Sequence, residues 1–149
     1  MGYTPLEGLV MATRSGNVDP GLLLALMREG MGEAELADLL QHQAGLKGLS
    51  GLSGDMREIR KHAAAGHQGA QLALDVFRQR LLQLIGAMAA SLQGVDALAL
   101  TGGIGEHDAA LKAELVEALA WLPNLEIAIV QADEEGMIAR LFQRSAAVG

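Results

Sequence analysis

Apolar residues in the middle of the chain recur at helical spacing. Phe77, Leu81, Leu84, Ile85, Met88 and Leu92 follow an i, i+4, i+7, i+8 rule, which predicts one long helix over residues 68–93. Leu111, Leu115, Leu119 and Leu122 share a face of a helix expected near 106–122, and Met137, Ile138, Leu141 and Phe142 mark a last helix near 133–144. Two short apolar runs, near 96–101 and 125–131, read as strands. Upstream, Asp19-Pro20 predicts a helix start, with Asp as N-cap and Pro at the first helical position, and Gly30 ends that helix. Further helices are expected over 32–44, closed by Gly45, and from a cap at Asp55 to about Ala65. Residues 46–54, rich in glycine and serine, are expected to be a loop, and the first eighteen residues are expected to be irregular.

The last third therefore reads as β-α-β-α, with parallel strands and a right-handed crossover. Two parallel strands alone make a poor sheet, and the N-terminal residues offer no third. The fold class is α/β, mostly helical, with a small parallel unit.

The chain has 149 residues, enough for one domain with a real core. Half the residues are hydrophobic and only 3% aromatic, so the core is built from aliphatic side chains. The net charge of -7 argues against sequence-independent nucleic-acid binding, which needs a basic face. The longest apolar segment carries Asp75, Arg78 and Arg80 and reads as a core helix, not a membrane span. No signal peptide is visible, and there is no Cys; both fit a reducing, cytoplasmic setting.

One segment carries chemistry. Thr101-Gly102-Gly103-Ile104-Gly105-Glu106-His107-Asp108 follows the first strand and opens a helical pattern. Strand, glycine turn and helix start let a backbone approach a nucleotide. It is not a G-x-G-x-x-G fingerprint, and it has no P-loop Lys. Glu106 and Asp108 would repel phosphate, which favours contact with adenine and ribose. The alternative is a turn that needs glycine for its own geometry.

Four separated motifs resemble the acetate and propionate kinase family. They are residues 1–9 with Thr13-Arg14-Ser15-Gly16-Asn17-Val18-Asp19-Pro20, then Leu52-Ser53-Gly54-Asp55-Met56-Arg57, the glycine segment, and Asp133-Glu134-Glu135 before Met137-Ile138-Ala139-Arg140. They occur in family order, but match only the family's C-terminal portion. The resemblance implies a partial actin-like (ribonuclease H-like) fold, with residues 1–149 a single, incomplete C-terminal nucleotide-binding domain. The N-terminal domain and the first strands of this one would be absent, and Met1 would be an internal methionine. It implies transfer of the ATP γ-phosphoryl group to a short-chain carboxylate, with Mg²⁺, and ADP as product. The isolated chain would be a poor kinase.

By the same resemblance, Arg14 is the active-site arginine. Asp55, Met56 and Arg57, with Gly103, Ile104, Gly105, Glu106 and His107, contact the nucleotide. Glu134 helps to place Mg²⁺, with Glu135 adjacent. Each has a plainer reading: Arg14 as a solvated loop residue, Asp55 as an N-cap, Glu134 as a carboxylate suited to a helix dipole. Departures from the family pattern are Gly54 in place of Ser, His107 in place of Asn, Asp133 in place of Asn, and a shortening between Trp121 and Gln131. A competing expectation is a non-catalytic remnant or interaction module. It would form a homodimer, or associate otherwise, through an exposed strand edge near 97–100 and exposed apolar surface.

Overall fold

The computed structural model describes residues 2–146; Met1, at the head of the first family-like motif, lies outside them. The chain divides into two compact units, Met1–Gly94 and Val95–Gly149. The break follows the long helix, at Gln93 (φ 60°) and Gly94 (φ 136°). A right-handed helix cannot continue through such backbone.

In the first unit, α1 (Pro20–Arg28) starts as the sequence predicts. The Asp19 carboxylate accepts from the Gly21 N–H at 2.7 Å, and Pro20 fills the first position. The helix expected over 32–44 is α2 (Glu33–Asp38) running into a π-helical turn, Leu39–Gln43. The Ser15 N–H donates to the Leu40 carbonyl at 3.0 Å, and the Thr13 hydroxyl to the Gln41 carbonyl at 2.9 Å. The coil widens where a loop takes its carbonyls.

The expected loop at 46–54 begins instead as a helix, α3 (Gly45–Ser50). Its first N–H groups, on Leu46 and Lys47, donate to the carbonyls of Met11 and Ala12, each at 2.9 Å. Distant backbone thus caps a helix that local sequence leaves uncapped. Buried Ser50 takes part in four hydrogen bonds with Lys47, Leu52 and Ser53, so its hydroxyl is satisfied.

Helices α4 (Met56–Ala64) and α5 (Gln68–Leu92) follow, and both α3 and α4 pack on α5. The core comprises Val10, Leu36, Leu46, Met56, Ile59, Ala70, Ala73, Phe77 and Ala89. Ala73 and Ala70, one and two turns before Phe77, let backbones approach closely. Along α5 the apolar stripe loses cover with distance: Leu81, Leu84 and Ile85 are half-buried, Met88 and Leu92 exposed.

In the second unit, β1 (Ala97–Leu100) pairs in parallel with β2 (Glu126–Ile129), Ala97 opposite Glu126 and Leu100 opposite Ile129. Among the described residues the sheet has these two strands. The single helix expected over 106–122 is two, α6 (Gly102–His107) and α7 (Ala109–Ala118). Asp108 leaves helical geometry and caps α7, accepting from the Leu111 N–H at 3.0 Å. The glycine segment is therefore itself helical rather than a turn before a helix. The predicted face of Leu111, Leu115, Leu119 and Leu122 is buried throughout.

Asn124 (φ 63°) turns the chain into β2, and α8 (Glu134–Ala146) closes the unit. On α8 the predicted apolar row is exposed: Met137, Ile138 and Leu141 are 52, 67 and 56% accessible. Among the described residues no helix is long and apolar enough to cross a membrane.

Candidate functional site

Arg14 sits on a loop fixed almost wholly by backbone. The Met11 N–H closes it by donating to the Arg14 carbonyl at 3.1 Å. The bonds to α3 and to the π-helical turn hold its two sides. Gly45 takes φ 65°, and a Cβ there would lie 2.3 Å from the Met11 carbonyl oxygen and 2.8 Å from that of Arg14. At Gly54, which departs from the family-like Ser, a Cβ would meet the Ala12 carbonyl at 2.7 Å. Only glycine allows these approaches without movement. The Arg14 side chain is half-buried, and among the described residues it has no hydrogen-bond or ion-pair partner. A rigid loop thus presents an uncompensated guanidinium, suited to a carboxylate or phosphoryl group.

Asp55 is the N-cap of α4, accepting from the Arg57 N–H at 2.9 Å. It also takes both arms of the Arg57 guanidinium, at 3.1 and 2.6 Å. The hydrogen bonds from Arg57 hold the Asp55 carboxyl down at about 2, and the partnership raises Arg57 in return. The pair is solvent-exposed, so water and salt screen it. Met56, between them, is buried in the core of its unit, so its side chain is occupied with packing. What the segment leaves at its rim is Asp55, Arg57 and backbone.

In the second unit the three glycines of α6 differ in kind. Gly102 has φ 74°, which favours glycine outright. Gly105 lies on the strand, where a Cβ would come within 3.2 Å of the Leu100 carbonyl carbon. Gly103 has neither reason: its φ is ordinary, and a Cβ would meet nothing within 4 Å. Ile104 is half-buried and His107 exposed. Glu106 is half-buried, and its Oε1 accepts from the N–H groups of Gly102 (2.8 Å) and Ala132 (2.9 Å). Local sequence gave no sign of this second bond, because Ala132 lies 26 residues on.

Beside this segment, an open cavity of about 520 Å³ is lined by Thr101, Gln131, Ala132, Asp133, Glu134 and the start of α8. It lies at the carboxyl ends of both parallel strands. Asp133 caps α8 through the Gly136 N–H (3.2 Å) and pairs with Arg140 (2.8 Å), so its charge is already engaged. Glu134 and Glu135 are exposed, and among the described residues neither has a hydrogen-bond or ion-pair partner. No group of three or more His, Asp or Glu side chains gathers to hold a metal among the described residues. A lone rim carboxylate fits Mg²⁺, which takes one or two protein carboxylates and fills its shell with water and phosphate.

The sequence profile of the acetokinase family matches residues 1–138. An acetate kinase of Acaryochloris marina is 52% identical over 122 residues, which cover 82% of this chain and 31% of that protein. One from a Geobacillus strain is 38% identical over 172 aligned positions, covering all of this chain and 43% of the relative. Against 149 residues here, that alignment leaves at least 23 positions that this chain lacks. Among solved structures, acetate kinase from Porphyromonas gingivalis superposes with a TM-score of 0.89 at 35% identity, over 94% of this chain and 41% of that one. A propionate kinase from Francisella tularensis gives 0.86 at 34% identity, over 93% and 41%. The chain thus spans between 31 and 43% of the length of these relatives.

Proposed function

The chain belongs to the acetokinase family, and on that premise we propose that it is the nucleotide-side wall of a kinase acting on a short-chain carboxylate. The reaction is carboxylate plus ATP to acyl phosphate plus ADP. The fold is the partial actin-like α/β fold of its structural neighbours, and in this reading residues 1–149 are one incomplete C-terminal nucleotide-binding domain. The observation that carries the reading is the cavity at the carboxyl ends of β1 and β2, beside a glycine segment. Open α/β sheets hold their ligands at that end of the strands. Gly103 adds to it, as a glycine whose Cβ no described residue would hinder.

In this reading Arg14 is the catalytic cation, stabilising charge on the phosphoryl group in transfer. Gly103, Ile104, Gly105 and His107 form the nucleotide wall, Glu106 joins it through its backbone, and the Asp55-Met56-Arg57 segment meets the adenosine end. Glu134 would hold Mg²⁺, which when bound neutralises phosphate charge. The setting is cytoplasmic, and neither nucleic acid nor membrane is a partner.

Titration calorimetry with Mg²⁺ and ADP tests the reading. Saturable binding that Gly103→Trp abolishes is expected, with no acetate-dependent ADP formation by this chain alone. Absence of binding overturns the nucleotide reading, and robust turnover overturns the assignment of an incomplete site.

A second reading, a self-associating interaction module, is favoured by specific exposed groups. Helix α1 has no buried residue and exposes Leu22, Leu24 and Met27, and α8 exposes Met137, Ile138 and Leu141. Light scattering on the eluting protein decides it: a monomer at all concentrations removes this reading.

A further inference from the structure

The ladder between β1 and β2 ends where the Val130 N–H donates to the Leu100 carbonyl at 2.8 Å. Beyond that rung, among the described residues, no backbone bond joins the two segments. One side-chain atom does. Glu106 Oε1 accepts from the Gly102 N–H, just past β1, and from the Ala132 N–H, just past β2. Bonds from N–H to a carboxylate are charge-assisted and stronger than neutral ones. Thr101 and Ala132 both line the 520 Å³ cavity, so the tie spans the two segments that bound it.

We infer that Glu106 is a positioning residue that sets the separation of the two strand ends and thereby the width of the nucleotide cavity. This rests on the reading of that cavity as a nucleotide site. It also accounts for a carboxylate in a segment that would face an anion, because Oε1 is committed to two protein donors. Glu106→Gln keeps a carbonyl oxygen that can take both N–H groups. Glu106→Ala removes the acceptor.

Two measurements on the 149-residue chain test the inference. The first is amide hydrogen exchange at Gly102 and Ala132. In Glu106→Ala, exchange at both should quicken about tenfold or more, the equivalent of one charge-assisted bond lost. In Glu106→Gln it should stay within about threefold of the parent. Unchanged exchange in Glu106→Ala, or equally fast exchange in both variants, overturns the tie. The second is calorimetric titration with Mg²⁺ and ADP, where Glu106→Ala should weaken binding about tenfold and Glu106→Gln should restore most of it. If Glu106→Gln binds as poorly as Glu106→Ala while its amides stay protected, the carboxylate contacts the nucleotide directly and the positioning role is wrong. If the parent chain binds no nucleotide, the functional reading fails, and the exchange data alone decide the tie.

Discussion

The two units of this chain solve the same problem to different degrees. The first packs helices on one another, with α1 left exposed: α3 and α4 lie on α5, a hydroxyl buried at Ser50 is fully bonded, and a loop is locked between glycines. Among its described residues the second builds a sheet of two strands, buries one face of α7, and leaves the apolar row of α8 exposed. A parallel sheet is normally covered on both faces and flanked by further strands. Helices packed on a long helix in one unit and a pair of short strands in the other show where each draws its stability. The first unit holds its candidate arginine by its own backbone bonds, whereas in the second, past the last rung among the described residues, the Glu106 carboxylate joins the strand ends.

The largest effects should come from emptying each core in turn. Leu46 and Leu115 are both fully buried, and truncation to alanine costs about 3 kcal/mol at such sites. Leu115→Ala should release the amides of β1 and α7 to exchange while those around Ile59 stay protected; Leu46→Ala should do the reverse. Loss of protection across both units in either variant would mean that they unfold as one body and would erase the contrast.

Smaller effects separate two glycines. Gly45→Ala forces a Cβ against the Met11 and Arg14 carbonyls at positive φ and should cost about 2 kcal/mol or more in urea denaturation. Gly103→Ala meets open space and should stay within about 0.5 kcal/mol of the parent. Equal costs would show that the loop around Arg14 is no more constrained than α6.

The smallest effect is electrostatic. Asp55 has its carboxyl lowered from 3.8 to about 2 by Arg57. A carboxyl lowered in the folded state adds stability above the unfolded value and loses it as acid protonates the folded group. Asp55→Asn keeps a capping side chain and removes the charge. The melting temperature of the parent should therefore exceed that of Asp55→Asn above about pH 4, and the gap should close towards pH 2. A gap that persists undiminished at pH 2 would point to the cap rather than the ion pair.

What could be read from the sequence was local or periodic. Asp19-Pro20 starts α1, Asp55 caps α4, and the leucine face of α7 is buried, because each signal lies within a few residues of its effect. Helix α3 was not legible, since its caps are the carbonyls of Met11 and Ala12, far upstream in the chain. The break at Asp108 was missed because an acidic residue between two apolar-patterned segments reads equally as surface or as cap. At the site, Gly102 could be read as a special backbone position, while the roles of Gly105 and Glu106 depend on Leu100 and Ala132. The exposure of α8 could not be read at all, because an apolar row predicts a face and not what covers it.

The π-helical turn at Leu39–Gln43 bears on a different matter, the way in which the chain tolerates change. A helix that closes one turn with an extra residue stores positional information in its length, not in any side chain. Substitutions within it leave the carbonyls of Leu40 and Gln41 facing Ser15 and Thr13. Losing one residue would return the coil to the α register and take the carbonyls of Leu40 and Gln41 away from Ser15 and Thr13. Where it meets this turn, the loop that carries Arg14 is thus tolerant of side-chain changes at residues 39–43 and fragile to a single-codon deletion there, an asymmetry written into the count of residues.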